Sequence, residues 1–144
     1  MAFCQRLSEQ LAIVATIDPV AGATGAATTD IFSMAMHRRA LFILQRGVGV
    51  AGITCAIQEN AALAFTAGTA TVLTRAAADT DVAATQHIFE VSAEAMGAGM
   101  QYLRGVFTSV GADLYSVVVM ADVERYGPAS DRDLPSVVSI QAAN

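Results

Sequence analysis

Apolar residues return at every second position in several short runs of this chain. That spacing commits it to pleated strands. In AGITCAIQE (51–59), Ala51, Ile53, Cys55 and Ile57 share one parity, whereas Gly52, Thr54, Ala56 and Gln58 share the other. Such a run buries one face and offers the other to solvent. RALFILQR (39–46) is an apolar run of strand length bounded by Arg at both ends, and it reads as a central strand buried on both faces. LYSVVVMA (114–121) reads the same way, with β-branched valines that favour a pleated surface. LAIVATI (11–17), TTDIFSM (28–34), QHIFEVS (86–92) and MQYLRGVFTSV (100–110) supply further strands.

Turn signals fall between these runs. Asp18-Pro19 leads into the small-residue stretch AGATGAA, and Gly47 and Gly49 separate two strands as a hairpin requires. Gly97-Ala98-Gly99 and Gly111-Ala112-Asp113 read as turns too. AALAFTAG (61–68) reads as a loop over the core, and TRAAADTDVAATQ (74–86) has room for a helical turn. SAEAMGAG (92–99) resembles a short helix with Ser92 as cap and Gly97 as stop. A strand every 8–12 residues or so is the rhythm of a sandwich or barrel. The expected fold is therefore all-β and mainly antiparallel: a single β-sandwich or jelly-roll-like domain with short helical turns. Residues 1–10 form an N-terminal arm in this reading, 11–122 the sandwich, and 123–144 a polar bend followed by an arm or a last strand.

A chain of 144 residues suits one domain with a core that needs no staples. It is 54% hydrophobic and only 15% charged, with a mean hydropathy of +0.50. Ordinary soluble domains carry about 25% charge. So either the chain lives in a membrane or much of its surface meets other protein. A spanning helix needs about 20 predominantly apolar residues, and no run here reaches that length before a charge, a proline or a Gly/Ala/Thr-rich break. A signal peptide fits poorly, because Arg6 is followed by Glu9 and a short apolar stretch with no clear cleavage site. Cys4 and Cys55 make no disulfide framework, and Cys55 reads as a buried free thiol. The net charge of −5, with no Lys and no basic run longer than His37-Arg38-Arg39, argues against a nucleic-acid binder.

The candidate chemistry is thin. Gly47, Gly49 and Gly52 spell G-x-G-x-x-G after a strong strand. However, the following residues alternate with period 2 and no acid follows at the ribose-binding distance, so a glycine-rich hairpin is expected and not a dinucleotide site. Asp79-Thr80-Asp81 lacks the further ligands of a calcium loop and reads as an acidic turn. His37 and His87 read as structural or surface histidines. Glu90 and Glu94 carry no weight as an acid–base pair. The expectation is a protein without catalytic residues, metal or cofactor, and not an enzyme.

RYGPASDRDLPS (125–136) follows the apolar run of 114–121 and cannot be a central strand, since Pro128 and Pro135 lack a donor. It reads as a polar bend at a protein contact. Arg125, Tyr126, Pro128, Asp131, Arg132 and Asp133 are its interface candidates, with Tyr126 as anchor and Arg–carboxylate forks setting register. LPSVVSI (134–140) then offers one more short extended run. It is either an arm reaching a neighbour or a last strand folded back on its own sheet.

TIDP (16–19), RALFILQRG (39–47), YLRGVFT (102–108) and RYGPASD (125–131) resemble segments of small virion proteins of tailed bacteriophages, from the head region. The resemblance spreads over residues 16–133, is densest in 102–131 and is least in 61–86. It implies a capsid decoration or cement protein with a β-sandwich or jelly-roll-like body. Its partners would be the major capsid protein and copies of itself, with no nucleic acid and no membrane. Its place would be the capsid surface of the virion, after synthesis in the host cytoplasm. It implies no catalytic residues. A tail or head–tail connector component is the alternative within that class. A ligand- or carbohydrate-binding β-sandwich is the alternative outside it, although the chain has no Trp and only three Tyr.

Overall fold

β7, Tyr102–Asp122, is the strand on which the whole sheet is hung. In this computed structural model, which describes residues 11–49, 52–76 and 84–122, the other strands are β1 (Leu11–Thr28), β2 (Phe32–Ser33), β3 (Arg39–Arg46), β4 (Ile53–Asn60), β5 (Ala70–Arg75) and β6 (Gln86–Ser92). All pairing is antiparallel. The fold is all-β, and its only described helical piece is a 3-10 turn at Ala93–Ala95.

One flank of β7 carries β1 along nearly its whole length, from Leu11 opposite Asp122 to Thr28 opposite Val106. β2 continues that flank opposite Leu103 and Tyr102. The other flank is divided. β4 pairs with residues 102–109 of β7 and carries β5 outside it. β3 pairs with residues 115–121 and carries β6 outside it. The β4 layer and the β3 layer are thus two parts of one sheet, bent where β7 passes Gly111 and where the β1 register shifts repeatedly between Ile17 and Gly25. Bulges let long strands turn such a corner and pass from one layer to the other.

The two layers face each other across the core. Phe42 of β3 packs over Gly105 of β7, where an added Cβ would come within 3.1 Å of its ring and within 2.6 Å of Phe107. A glycine is required there because the rings occupy the space a side chain would need. Phe32 stacks obliquely on Phe42 at 6.0 Å. Leu44, Ile53, Ile57, Val91, Leu103, Val117 and Val119 are also fully buried. Each such side chain contributes about 1.5–3 kcal/mol by leaving water.

Several expectations need correction. The glycines at 47 and 49 do not close a hairpin, for β3 and β4 pair with different parts of β7 and not with each other. Gly111-Ala112-Asp113 is no turn either. It is a bend inside β7, held in line by β1 on the other flank. Asp18-Pro19 and AGATGAA lie within β1, at its bulges, because glycine and small residues inside a strand accommodate a bend as readily as a turn. TTDIFSM contributes only the end of β1 and the short β2. β5 was not anticipated; its run is short and its outer positions are threonines. Ser92 stands at the N-cap of the 3-10 turn but makes no side-chain cap. Finally, 39–46 and 114–121 are not buried on both faces. They alternate between buried residues and half-buried or exposed ones. Residues 1–10, expected as an arm, and 123–144, expected as a polar bend followed by an arm or a last strand, lie outside the described residues.

Candidate interaction face

The half-buried parity of the β3 layer is apolar. Cross-strand register aligns Ile13, Met120 and Leu41 in one row that ends at Glu90, and Thr16, Val118, Ile43 and Ile88 in the next. Ile88 is 62% exposed. A polar border surrounds these rows. The Arg39–Glu90 ion pair, 3.3 Å and largely exposed, lies at one side, and Ser116, Gln45 and Gln86 form the next row on the other. An apolar centre with a polar rim is the anatomy of a protein contact.

The β4 layer treats its outer face differently. Arg104, Gln58 and Thr71 form one row, Val106, Ala56 and Thr74 the next, and Thr108 and Thr54 the third. Arg104 Nε donates to Gln58 Oε1 at 2.9 Å, and its guanidinium stands 4.4 Å from the Phe65 ring. The loop that brings Phe65 there is tied down by buried Asn60, whose Nδ2 donates to Ala67 O and Thr69 Oγ1 and whose Oδ1 accepts from Ala62 N. Phe65 has φ of 49°, a left-handed conformation that disfavours a bulky residue. The fold tolerates it in order to bury this ring.

The interior polar groups are structural. Arg46 and Asp113 form a fully buried ion pair at 3.2 Å, and Ser109 Oγ donates to the same carboxylate. This cluster pins the bend of β7 to the end of β3. Gly49 lies against it so closely that an added Cβ would overlap Asp113 Oδ1 at 1.8 Å. The glycines at 47 and 49 therefore serve close approach to β7, where Gly47 N donates to Leu114 O, and no ligand is needed to explain them. His37 is buried and its Nδ1 meets the Asp122 carbonyl, while Asp122 Oδ1 accepts from the N–H groups of Arg38 and Arg39 at 2.8 and 2.9 Å. His87 Nε2 lies 3.1 Å from Thr85 Oγ1. Cys55 is a buried free thiol, as its parity predicts, and burial pushes its pKa up to about 12. Among the described residues, no three His, Cys, Asp or Glu side chains gather in a way that could hold a metal ion.

Of the residues singled out in the sequence, Arg125, Tyr126, Pro128, Asp131, Arg132 and Asp133 lie outside the described residues, as do Asp79, Thr80 and Asp81. Glu90 belongs to the rim of the β3 layer, and Glu94 stands in the 3-10 turn that follows β6. The outer apolar face was missed, although its signal was present: runs 39–46 and 114–121 are apolar on both parities, and only one parity can face the core.

No family model matches the chain and no curated protein matches it. A solved structure of the Gx strain of infectious bursal disease virus is similar over 82% of this chain and 31% of that one, with 15% identity and a TM-score of 0.38. The chain thus spans under a third of that protein's length, and a likeness at this score carries no argument about role.

Proposed function

We propose that this chain is a non-enzymatic virion structural protein, a decoration or cement protein that packs on a capsid lattice and stabilises the head. The observation that carries the reading is the apolar outer face of the β3 layer, where Ile88 is exposed and Ile13, Leu41, Ile43, Val118 and Met120 are half-buried with no described element packed over them, on a chain with little charge. The likeness of four segments to virion proteins of tailed phages supports the choice of partner. A face of this kind gains from permanent burial, and long-lived interfaces are larger and more apolar than transient ones. The major capsid protein and further copies of this chain are the proposed partners, and the capsid surface is the proposed location.

The experiment is cosedimentation of the purified protein with capsid shells, together with mass spectrometry of particles from the same source. Recovery of the chain in the particle and saturable binding to shells support the reading. A chain found in particles that lack heads but retain tails assigns it to the tail or connector instead. A chain that stays monomeric at high concentration and leaves shells unbound overturns the reading.

A further inference from the structure

The outer positions of β1, β7, β3 and β6 form a grid whose rows run across the strands. The first row holds Leu11, Asp122, Arg39 and Ser92, with Arg39 N bonded to the Asp122 carboxylate. The two apolar rows follow, and Ser116, Gln45 and Gln86 close the grid. The two central strands carry matching contents. Met120 of β7 stands beside Leu41 of β3, and Val118 beside Ile43, each pair close in size. Ser116 stands beside Gln45, both neutral and polar, and Asp122 beside Arg39, opposite in charge. Among these positions Arg39 is the only cation, and its side chain is largely exposed.

We propose that this face meets the same face of a second copy, about a two-fold axis that runs along the strands between β3 and β7. The inference rests on the reading of the face as a protein contact and names its occupant. The rotation lays β7 of one protomer over β3 of the other, and every contact occurs twice. Met120 then meets the partner's Leu41, Val118 meets the partner's Ile43, and Arg39 meets the partner's Asp122. Asp122 Oδ1 accepts from the N–H groups of Arg38 and Arg39, and a carboxylate has acceptor sites on both oxygens for a guanidinium. An axis across the strands fits less well. It would set Arg39 against the partner's Gln45 and Asp122 against the partner's Ser116, and neither charge would meet its opposite. β1 and β6 meet at the margins, where twisted sheets diverge and Glu90 keeps the Arg39 of its own protomer. The grid measures about 20 Å on a side at ordinary strand spacings. A pair therefore buries on the order of 1,000 Å², the low end for specific interfaces. Such a dimer exchanges in solution, and the dimer is the form a shell receives.

The test is sedimentation of the full chain over a range of concentrations. A monomer–dimer equilibrium with a dissociation constant on the order of micromolar is expected. Arg39→Glu sets like charges against each other at two symmetric places and should weaken the dimer about tenfold or more. Glu90→Gln removes only the ion pair within the protomer and should leave the constant within about twofold. The axis is read by mild oxidation of mixed, singly substituted chains in a Cys4→Ser background. Val118→Cys mixed with Ile43→Cys should form the joint disulfide. Leu41→Cys mixed with Ile43→Cys, the pair that an axis across the strands brings together, should not. The reverse preference overturns the proposal, as does a dimer that Arg39→Glu leaves intact. A chain that stays monomeric yet binds shells overturns the dimer and keeps the virion reading. A dimer that leaves shells unbound supports the pairing and overturns that reading.

Discussion

The two layers solve the same problem in opposite ways. Each has an inner face committed to the core and an outer face left over. The β4 layer makes its outer face mostly of threonines, Gln58 and Arg104, with Val106 and Ala56 between them, and uses a strained loop to place Phe65 against the guanidinium. The β3 layer fills the corresponding rows with Leu41, Ile43, Val118 and Met120 and covers none of them with any described loop. Among the described residues, one sheet, continuous through β7, therefore has a covered polar side and an apolar side with no element over it. If the proposed association uses the apolar face, stability and association can be altered separately, since the core residues lie on the opposite face of the same strands.

The largest expected effect tests whether the layers are one folding unit. Asp113→Ala leaves Arg46 buried without its carboxylate, which should cost about 3–5 kcal/mol and lower the melting of both layers together. Two separate transitions, followed by tryptophan probes placed in β5 and β6, would show that the layers fold independently. The next effect concerns association. Ile43→Lys should abolish oligomer formation and shell binding, a loss of about 2 kcal/mol or more if the residue is central. The same charge at Thr54, on the polar face, should leave both intact; equal effects at the two positions would end the distinction. Phe65→Ala should then cost about 2 kcal/mol in melting without changing association.

The smallest effect is on pH. Burial raises the Cys55 thiol from 9.0 to about 12 and raises Tyr115 as well, with burial first and the Asp113 charge second among the causes. The folded state holds both groups protonated more tightly than the unfolded state does. Their contribution is complete below the unfolded thiol value and is lost as pH rises toward the folded one. Denaturant midpoints should be flat through neutrality and fall above roughly pH 9, by on the order of 1 kcal/mol per pH unit. In Cys55→Ala that slope should shrink.

Strand positions were legible where parity was clean. Ile53, Cys55 and Ile57 are all fully buried, and β3 and β6 have the bounds their patterns suggest. Glycine was the source of error. Gly47, Gly49 and Gly111 permit a turn, a bulge or a close approach, and a linear pattern does not separate these without knowing the opposing strand. Arg46 was read as the polar end of a run, although it shares the parity of Ala40, Phe42 and Leu44 and is buried with them. Its partner Asp113 lay hidden in a supposed turn. The outer face was misread for a related reason: an apolar residue on the second parity looks like deeper burial until no described layer is found above it.

The sharing of β7 also governs the order in which the molecule can be made. β3 with β6, and β4 with β5, can pair as soon as they are synthesised, but two-stranded ribbons are at best marginal in water. Among the described strands, none joins these ribbons until residues 102–122 arrive, and β1 waits longest for its partner. A ribosome would therefore carry unpaired, apolar β1 through most of elongation, and the closing step would be slow because its contacts are distant in sequence. At high expression that interval favours exchange of β1 between nascent chains, so yield of native protein should fall faster with synthesis rate than with temperature.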